Sequence, residues 1–327
     1  MKVVFMGTPD FAKESLESIY NAGHEISLVI TKEDKPKGRG MKMIQTPVKE
    51  FALEKGIEVL QPAKIKNNTE LLEKIKSKQP DVLCIVAYGK ILPKEFIEAP
   101  KFGTVNVHGS LLPKYRGAAP IQWAIINGEK TTGITTMYIN EEMDEGNMLL
   151  KEEVKIGEDE TLGELWQKMA KVGGNLLVKT LEQIENGTIK EVPQTGEATY
   201  APMLEKAQAK IDWYSKKALE IKNLVRGLNP IMGAYAMLGD DKIKFWKVQI
   251  VKQDDFVGML PEFQEFAGRL KKLEPGTVIY SSEKLGLYIK TLDDIISVEE
   301  IQAPNAKRMP IKEFLKGNKI HAGTILE

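Results

Sequence analysis

One cysteine in 327 residues excludes an intrachain disulfide. That residue, Cys84, lies in the apolar run Asp81-Val-Leu-Cys-Ile-Val86 and reads as a small buried hydrophobe. Only three histidines are present, His24, His108 and His321, and their scatter leaves no metal-ligand cluster to write down. No apolar run approaches the ~18 residues of a membrane span. The opening Met1-Lys-Val-Val-Phe5 enters a strand pattern at once, without the segments of a signal or transit peptide. The expectation is a cytoplasmic protein with no metal, no membrane contact and no obligate protein partner. Net charge is also lacking, with 46 basic against 46 acidic residues, so the surface is not basic throughout. The charge is unevenly spread: residues 1–205 carry 26 Lys and Arg against 30 Asp and Glu, and residues 206–327 carry 20 against 16. The C-terminal third is therefore the better candidate for a polyanion.

Short apolar runs that read as buried strands are present in number. Val3–Met6, Ser27–Ile30, Val82–Val86, Val105–Val107 and Ile134–Tyr138 alternate with amphipathic stretches, as in a doubly wound, Rossmann-like α/β sheet. Leu162, Leu165, Trp166, Met169, Leu176, Leu177 and Ile184 then recur at helical spacing behind a capping-box pattern, Thr161-Leu-Gly-Glu164. Turn-forming residues follow, Asn186-Gly187, Pro193, Gly196 and Pro202. Beyond them lie a helix over about Ser215–Gly227 and runs rich in β-branched and aromatic residues: Ala234–Leu238, Ile243–Val248, Thr277–Tyr280, Leu287–Ile289 and Ile295–Val298. Their spacing predicts a small β-barrel. The predicted division is a catalytic domain over 1–190, a linker over 191–207 and a barrel domain over 208–327.

The first strand ends in Gly7-Thr-Pro-Asp-Phe-Ala12, the place for a dinucleotide fingerprint. Pro9 and Ala12 stand where that fingerprint has its second and third glycines, and Pro9 obstructs close approach of a pyrophosphate. A nicotinamide enzyme is therefore disfavoured.

The most informative stretch is Asn106-Val-His-Gly-Ser-Leu-Leu-Pro-Lys-Tyr-Arg-Gly-Ala-Ala-Pro120. On an extended strand Asn106 and His108, two apart, point the same way, while Val105 and Val107 face oppositely. Both polar side chains emerge at the carboxyl end of a strand, where open α/β sheets bind ligands. A lone histidine at a strand end is more often a satisfied structural group than a catalyst, and it is the neighbourhood of His108 that lowers that reading. The following loop, Ser110 to Gly117, is too polar for core and too restricted for a linker, which suits a shaped binding loop.

His108-Gly-Ser-Leu-Leu-Pro-Lys-Tyr-Arg-Gly-Ala118, preceded by Asn106 and followed by Met143-Asp-Glu-Gly146, resembles the signature of the 10-formyltetrahydrofolate-dependent formyltransferases. The likeness runs from Phe5-Met-Gly-Thr-Pro-Asp-Phe-Ala12 to Lys307-Arg-Met-Pro-Ile-Lys-Glu-Phe-Leu-Lys-Gly317, and is strongest to the branch whose acceptor is methionyl-initiator tRNA. The resemblance implies direct transfer of a formyl group from 10-formyltetrahydrofolate to the α-amino group of that tRNA, for translation initiation. It assigns Asn106, His108 and Asp144 to catalysis. It places the folate against Val86, Ala87, Tyr88 and Gly89, framed by Ser110, Leu111, Leu112 and Pro113. An OB-like fold for the barrel is likewise implied by the resemblance.

For the RNA, the resemblance points to the basic loop with Lys35, Lys37, Arg39 and Lys42, and to Arg226, Lys242, Lys244, Lys247, Lys307 and Arg308 in the barrel. Glycines on both sides of Arg39 would let its guanidinium approach phosphates closely. Taken alone, the loop also reads as a solvated lysine loop, and Asp144 as part of an acidic turn. Glu145, Asn147 and Ile231-Met232 depart from the family pattern, which puts loop details and packing in question but not the trio. A formyltransferase acting on a nucleotide-linked amino sugar, a formyltetrahydrofolate hydrolase and a non-enzymatic tRNA-binding protein remain alternatives.

Overall fold

The computed structural model describes residues 1–37 and 41–327, which form two compact units. The first comprises residues 1–121, 130–156 and 164–203. Its strands are β1 (Lys2–Gly7), β2 (Glu25–Ile30), β3 (Lys35–Lys37), β4 (Lys42–Ile44), β5 (Val59–Leu60), β6 (Val82–Val86), β7 (Thr104–His108), β8 (Thr131–Tyr138) and β9 (Met148–Lys155). Seven of them make one sheet in the order β5-β2-β1-β6-β7-β8-β9. The pairings from β5 to β7 are parallel, and β8 and β9 run antiparallel. The central strands β1 and β6 are almost uninterrupted apolar sequence because both sheet faces are covered. β9, whose Glu152, Glu153 and Lys155 break any apolar run, had no strand signal in the sequence.

The core on one face contains Val4, Met6, Leu28, Ile85, Tyr88 and Phe96. On the other, the long helix Leu162–Glu185 approaches β7 and the helix Asp10–Asn21 through Gly173 and Gly174. A Cβ on Gly174 would lie 2.3 Å from Ser18 Oγ, so this approach requires glycine. Cys84 is fully buried, and burial pushes its thiol far up from the ordinary range.

The segment expected to be an irregular loop over residues 35–49 differs in structure. β3 and β4 pair antiparallel, Lys35 with Ile44 and Lys37 with Lys42, and Pro47–Glu54 is helical with Thr46 accepting from Lys49 N–H. The ribbon is anchored at its base by Asp34, Lys49 and Gln61. Lys49 Nζ donates to Asp34 Oδ2 and to Gln61 Oε1, each at 2.7 Å, and Gln61 Nε2 donates to Asp34 Oδ1 at 2.7 Å. These bonds hold the Asp34 carboxyl below its usual range and remove Lys49 from the pool of free cations.

The second unit comprises residues 122–129, 157–163 and 204–327. It is built on β10 (Ala234–Leu238), β11 (Asp241–Val251), β12 (Val278–Ser282), β13 (Gly286–Lys290), β14 (Ile295–Gln302) and β15 (Met309–Pro310). The antiparallel order is β10-β11-β14-β13-β12, with β15 on β14. Residues 323–327 join the outer edges: Val278 N–H donates to Thr324 O at 2.8 Å, and Met237 and Glu327 exchange backbone bonds of 2.5 and 2.9 Å. The sheet is thereby closed, as the predicted barrel requires. Its core gathers Trp213, Phe245, Ile289 and Val298, with the Trp213 and Phe245 rings edge-on at 6.2 Å. The helix Ala218–Gly227 buries Ile221, Leu224 and Val225 against it.

Candidate active site

β7 delivers its two polar side chains as alternation demands. Val105 and Val107 are buried, while Asn106 and His108 share the opposite face. In register, Asn106 stands beside Ile85 of β6 and Met137 of β8. The Asn106 side chain makes no hydrogen bond among the described residues. Its amide is free to donate.

His108 is only 5% exposed. One ring nitrogen, Nε2, donates to the Tyr115 carbonyl at 2.9 Å, and the other, Nδ1, lies 3.6 Å from Asp144 Oδ1. The second separation is an electrostatic contact, longer than a hydrogen bond. Sequence could not place these groups together, since 36 positions separate them. The turn does so. Asp144 adopts φ +56°, a left-handed conformation that Asp tolerates better than most residues, and its Oδ2 accepts the Gly117 N–H at 2.8 Å. Two residues on, a Cβ at Gly146 would fall 1.8 Å from Tyr138 O, which explains the glycine of Met143-Asp-Glu-Gly146.

A residue that sequence reasoning missed ties this turn to the loop after β7. Gln194 Nε2 donates to Asp144 O at 2.7 Å and to Gly146 O at 3.0 Å, and its Oε1 accepts from Arg116 Nε and Nη2 at 3.0 and 2.8 Å. Arg116 Nη1 meets Glu145 Oε1 at 2.6 Å. Gln194 lies among turn-forming residues and so resembled linker. The structure puts residues 191–203 within the first unit, where Val192 exchanges backbone bonds with Met148, and Tyr200 bridges Arg116. Gln194→Ala is expected to lower turnover about tenfold through misplacement of Asp144, with no rescue in Gln194→Glu, which retains the acceptor for Arg116 but turns a carboxylate oxygen onto the Asp144 and Gly146 carbonyls. Steady-state kinetics alongside thermal melts tests this; activity lost only in proportion to stability in both variants would reduce Gln194 to a structural tie.

The segment after β6 differs in kind. Ala87 and Gly89 have φ +46° and +69°, and no hydrogen bond joins the main-chain N–H and C=O groups of Ala87, Tyr88 and Gly89 to other described groups. Such unpaired main-chain groups at a strand end suit the edge of a flat heterocycle. The Tyr88 ring itself is core, and burial pushes its phenol up to about 12. Ser110 and Leu112 are buried and their polar groups are used within the fold. Ser110 Oγ donates to Lys114 O, Thr135 Oγ1 joins Ser110 O to Leu112 N–H, and Lys151 Nζ donates to Leu112 O. They shape the loop that carries Leu111 and Pro113. Among the described residues no group of three or more His, Cys, Asp or Glu gathers as metal ligands.

The basic residues fall into three situations. Lys35 is exposed, Lys37 and Lys42 lie on the paired strands, and Arg39 lies outside the described residues. In the second unit Lys242 stacks over Tyr235 at 3.7 Å, Lys244 donates to Met232 O, Lys247 pairs with Glu299, and Lys307 is exposed. The two arginines are placed otherwise than expected. Arg226 is 8% exposed and donates to Asn223 Oδ1, Gly157 O and Glu160 O. Arg308 forms an ion pair with Glu300, donates to Asn229 Oδ1 and lies over Trp246. The Arg226 donors serve the fold of the unit because buried polar groups there need partners, whereas Arg308 is exposed and makes its contacts at the surface.

Comparison with known proteins adds an independent line. Residues 1–181 match the formyl transferase family model and residues 203–319 match the model of the formyl transferase C-terminal domain. The chain is 47% identical to methionyl-tRNA formyltransferase of Clostridioides difficile over 327 residues, all of both chains. Among solved structures it resembles the N-formyltransferase of Helicobacter canadensis in complex with folinic acid and dTDP-3-aminofucose, with TM-score 0.65, 21% identity, and 91% and 99% of the two chains covered. It also resembles HypX of Aquifex aeolicus in complex with tetrahydrofolic acid, with TM-score 0.63 and 16% identity; 99% of this chain covers 50% of that one. At these identities the two structures speak for the fold alone.

Proposed function

This chain belongs to the formyl transferase family, and on that premise we propose that it moves the formyl group of 10-formyltetrahydrofolate to the α-amino group of methionyl-initiator tRNA, supplying formylmethionyl-tRNA for translation initiation. The observation that carries the reading is the free Asn106 amide beside the His108–Asp144 contact, next to the unpaired main chain of 87–89.

The donor is an activated amide, so the acceptor amine attacks it directly and no serine or cysteine nucleophile is required. A new C–N bond forms, the carbonyl oxygen becomes an oxyanion, and collapse breaks the bond to N10, which takes up a proton as the amine loses one. Asn106 donates to the developing oxyanion. His108 donates through Nε2, exchanging Tyr115 O for the substrate oxygen. Asp144, fixed by Gly117 N–H and by Gln194 on its carbonyl, orients the imidazole and, through a water, receives the amine's proton. Donors aimed at charge that appears only in the transition state are worth most in a dry site, and His108 is almost wholly shielded.

Val86–Gly89 receive the pterin, framed by Ser110–Pro113. The first unit is read as the catalytic body and the second as an OB-like platform holding RNA by its phosphates, through Lys242, Lys244, Lys247 and Lys307. The β3–β4 ribbon, with Lys35, Lys37 and Lys42, is read as the part that meets the acceptor stem, the role the resemblance also gives to Arg39. The bacterial cytoplasm is where this reaction is needed. An amino-sugar acceptor is disfavoured because the chain is 47% identical over its full length to a methionyl-tRNA formyltransferase.

The test offers formyl-labelled 10-formyltetrahydrofolate together with methionyl-initiator tRNA, a nucleotide-linked amino sugar, or water alone. Label in the tRNA is expected. Label only in the sugar, or only in free formate, would reject the acceptor while retaining the donor site.

A further inference from the structure

Beside the proposed folate loop stands a cation without a partner among the described residues. Lys32 follows β2 at the carboxyl end of the parallel sheet, where β1 and β6 also end. Its backbone is fixed, since its carbonyl accepts from Gln61 Nε2 at 2.8 Å. Its side chain reaches the turn after β6, and a Cβ built on Gly89 would lie 2.8 Å from Lys32 Nζ. The ammonium thus rests against the backbone of Gly89, whose φ of +69° already suits glycine.

Nothing in the described structure neutralises that ammonium. Lys32 Nζ has no hydrogen bond or ion pair among the described residues. The acid closest in sequence besides exposed Glu33 is Asp34, and it is taken by Lys49 and Gln61. The other charged neighbours are Lys35 and Lys90, and burial followed by these two cations lowers the lysine's pKa from its ordinary value. Lys90 differs from Lys32 in being satisfied, with Nζ on the Pro62 and Ala63 carbonyls at 2.9 and 2.8 Å. A half-buried ammonium among like charges is costly to maintain. An anion brought by a ligand would reverse that cost.

We propose that Lys32 is the receiving cation for a carboxylate of the donor's glutamate tail. With the edge of the heterocycle on the main chain of Ala87 and Tyr88, the rest of the donor leaves the loop past Gly89, where Lys32 Nζ lies, and the folate molecule carries its carboxylates at that outgoing end. An RNA phosphate would have to reach a group lodged against the folate loop. The inference rests on the reading of Val86–Gly89 as the donor loop. It concerns donor affinity, so it can be measured with no acceptor present.

The experiment titrates 5-formyltetrahydrofolate and its glutamate-free pteroate analogue into the full-length protein and into Lys32→Met, which keeps the alkyl stem. Lys32→Arg is the conservative control, and thermal melts verify folding. The expected result is a Kd about tenfold weaker for the complete folate in Lys32→Met, largely restored in Lys32→Arg, with the preference for the complete folate over its analogue abolished in Lys32→Met. An equal change for both ligands, or none for either, overturns the proposal. So does a Lys32→Met variant impaired only in its affinity for methionyl-tRNA, which would make Lys32 a phosphate contact. Should the tRNA prove not to be the acceptor, the folate titration still decides the role of Lys32.

Discussion

His108→Ala lowers the rate of formyl transfer to methionyl-tRNA about a thousandfold, with donor and tRNA affinity changed by less than about threefold. The magnitude follows from loss of a preorganised oxyanion donor, worth roughly 10²–10³ in rate, and from loss of the group through which Asp144 acts on the reacting atoms. The cost to the fold is smaller. Removing the ring takes the Nε2 donor from the Tyr115 carbonyl and the imidazole from beside Asp144, about 1–2 kcal/mol for the loss of a buried hydrogen bond. Asp144 keeps its bond to Gly117 N–H and stays in place. Single-turnover transfer with both substrates saturating isolates the chemical step, and a thermal melt reports the fold. A loss below about tenfold with the protein intact would return His108 to the structural role that a lone strand-end histidine also permits.

The basis of that prediction was only partly visible in the chain. The pairing of Asn106 with His108 follows from strand periodicity, because two residues of separation is one repeat of the pleat. The approach of Asp144 to His108 does not follow from any local pattern. It depends on a left-handed residue, on Gly146 admitted where no Cβ fits, and on Gln194 from a stretch that looks like linker. Long-range hydrogen bonds of one glutamine leave no periodic trace. The strands of both units were legible wherever apolar runs were bounded by turns, as in Val82–Val86 and Ala234–Leu238. β9 escaped notice because four charged residues interrupt it, and the ribbon because Pro36 and its lysines read as loop.

Charge counting had a similar limit. Six basic residues between 32 and 49 suggest a uniform patch, yet Lys49 is bound to Asp34 and Gln61, and Lys32 turns toward Gly89. Composition cannot distinguish a cation that is spent from one that is available. Partner geometry can, and the barrel provides the sharper case in Arg226 and Lys307.

Arg226→Ala is expected to destabilise the second unit by about 3 kcal/mol while changing RNA affinity by less than about twofold. Three donors would be lost at once, leaving Asn223 Oδ1, Gly157 O and Glu160 O to find other partners in a site where the guanidinium is 8% exposed. Hydrogen bonds to a charged group contribute about 1.5–3 kcal/mol each in isolation. The total is moderated because burial already disfavours this guanidinium: its pKa is lowered by desolvation, partly opposed by Asp159 and Glu160. Lys307→Ala should behave oppositely. Lys307 is exposed and makes no ion pair among the described residues, so its loss leaves the melt unchanged, weakens tRNA binding and shallows the dependence of log Kd on log salt by about one contact. Denaturant titration and filter binding at several salt concentrations, run on both variants, separate the two roles. Loss of RNA affinity in a stably folded Arg226→Ala would show that its donors leave the fold to meet phosphate; an unchanged salt slope in Lys307→Ala would move the RNA off that edge of the barrel.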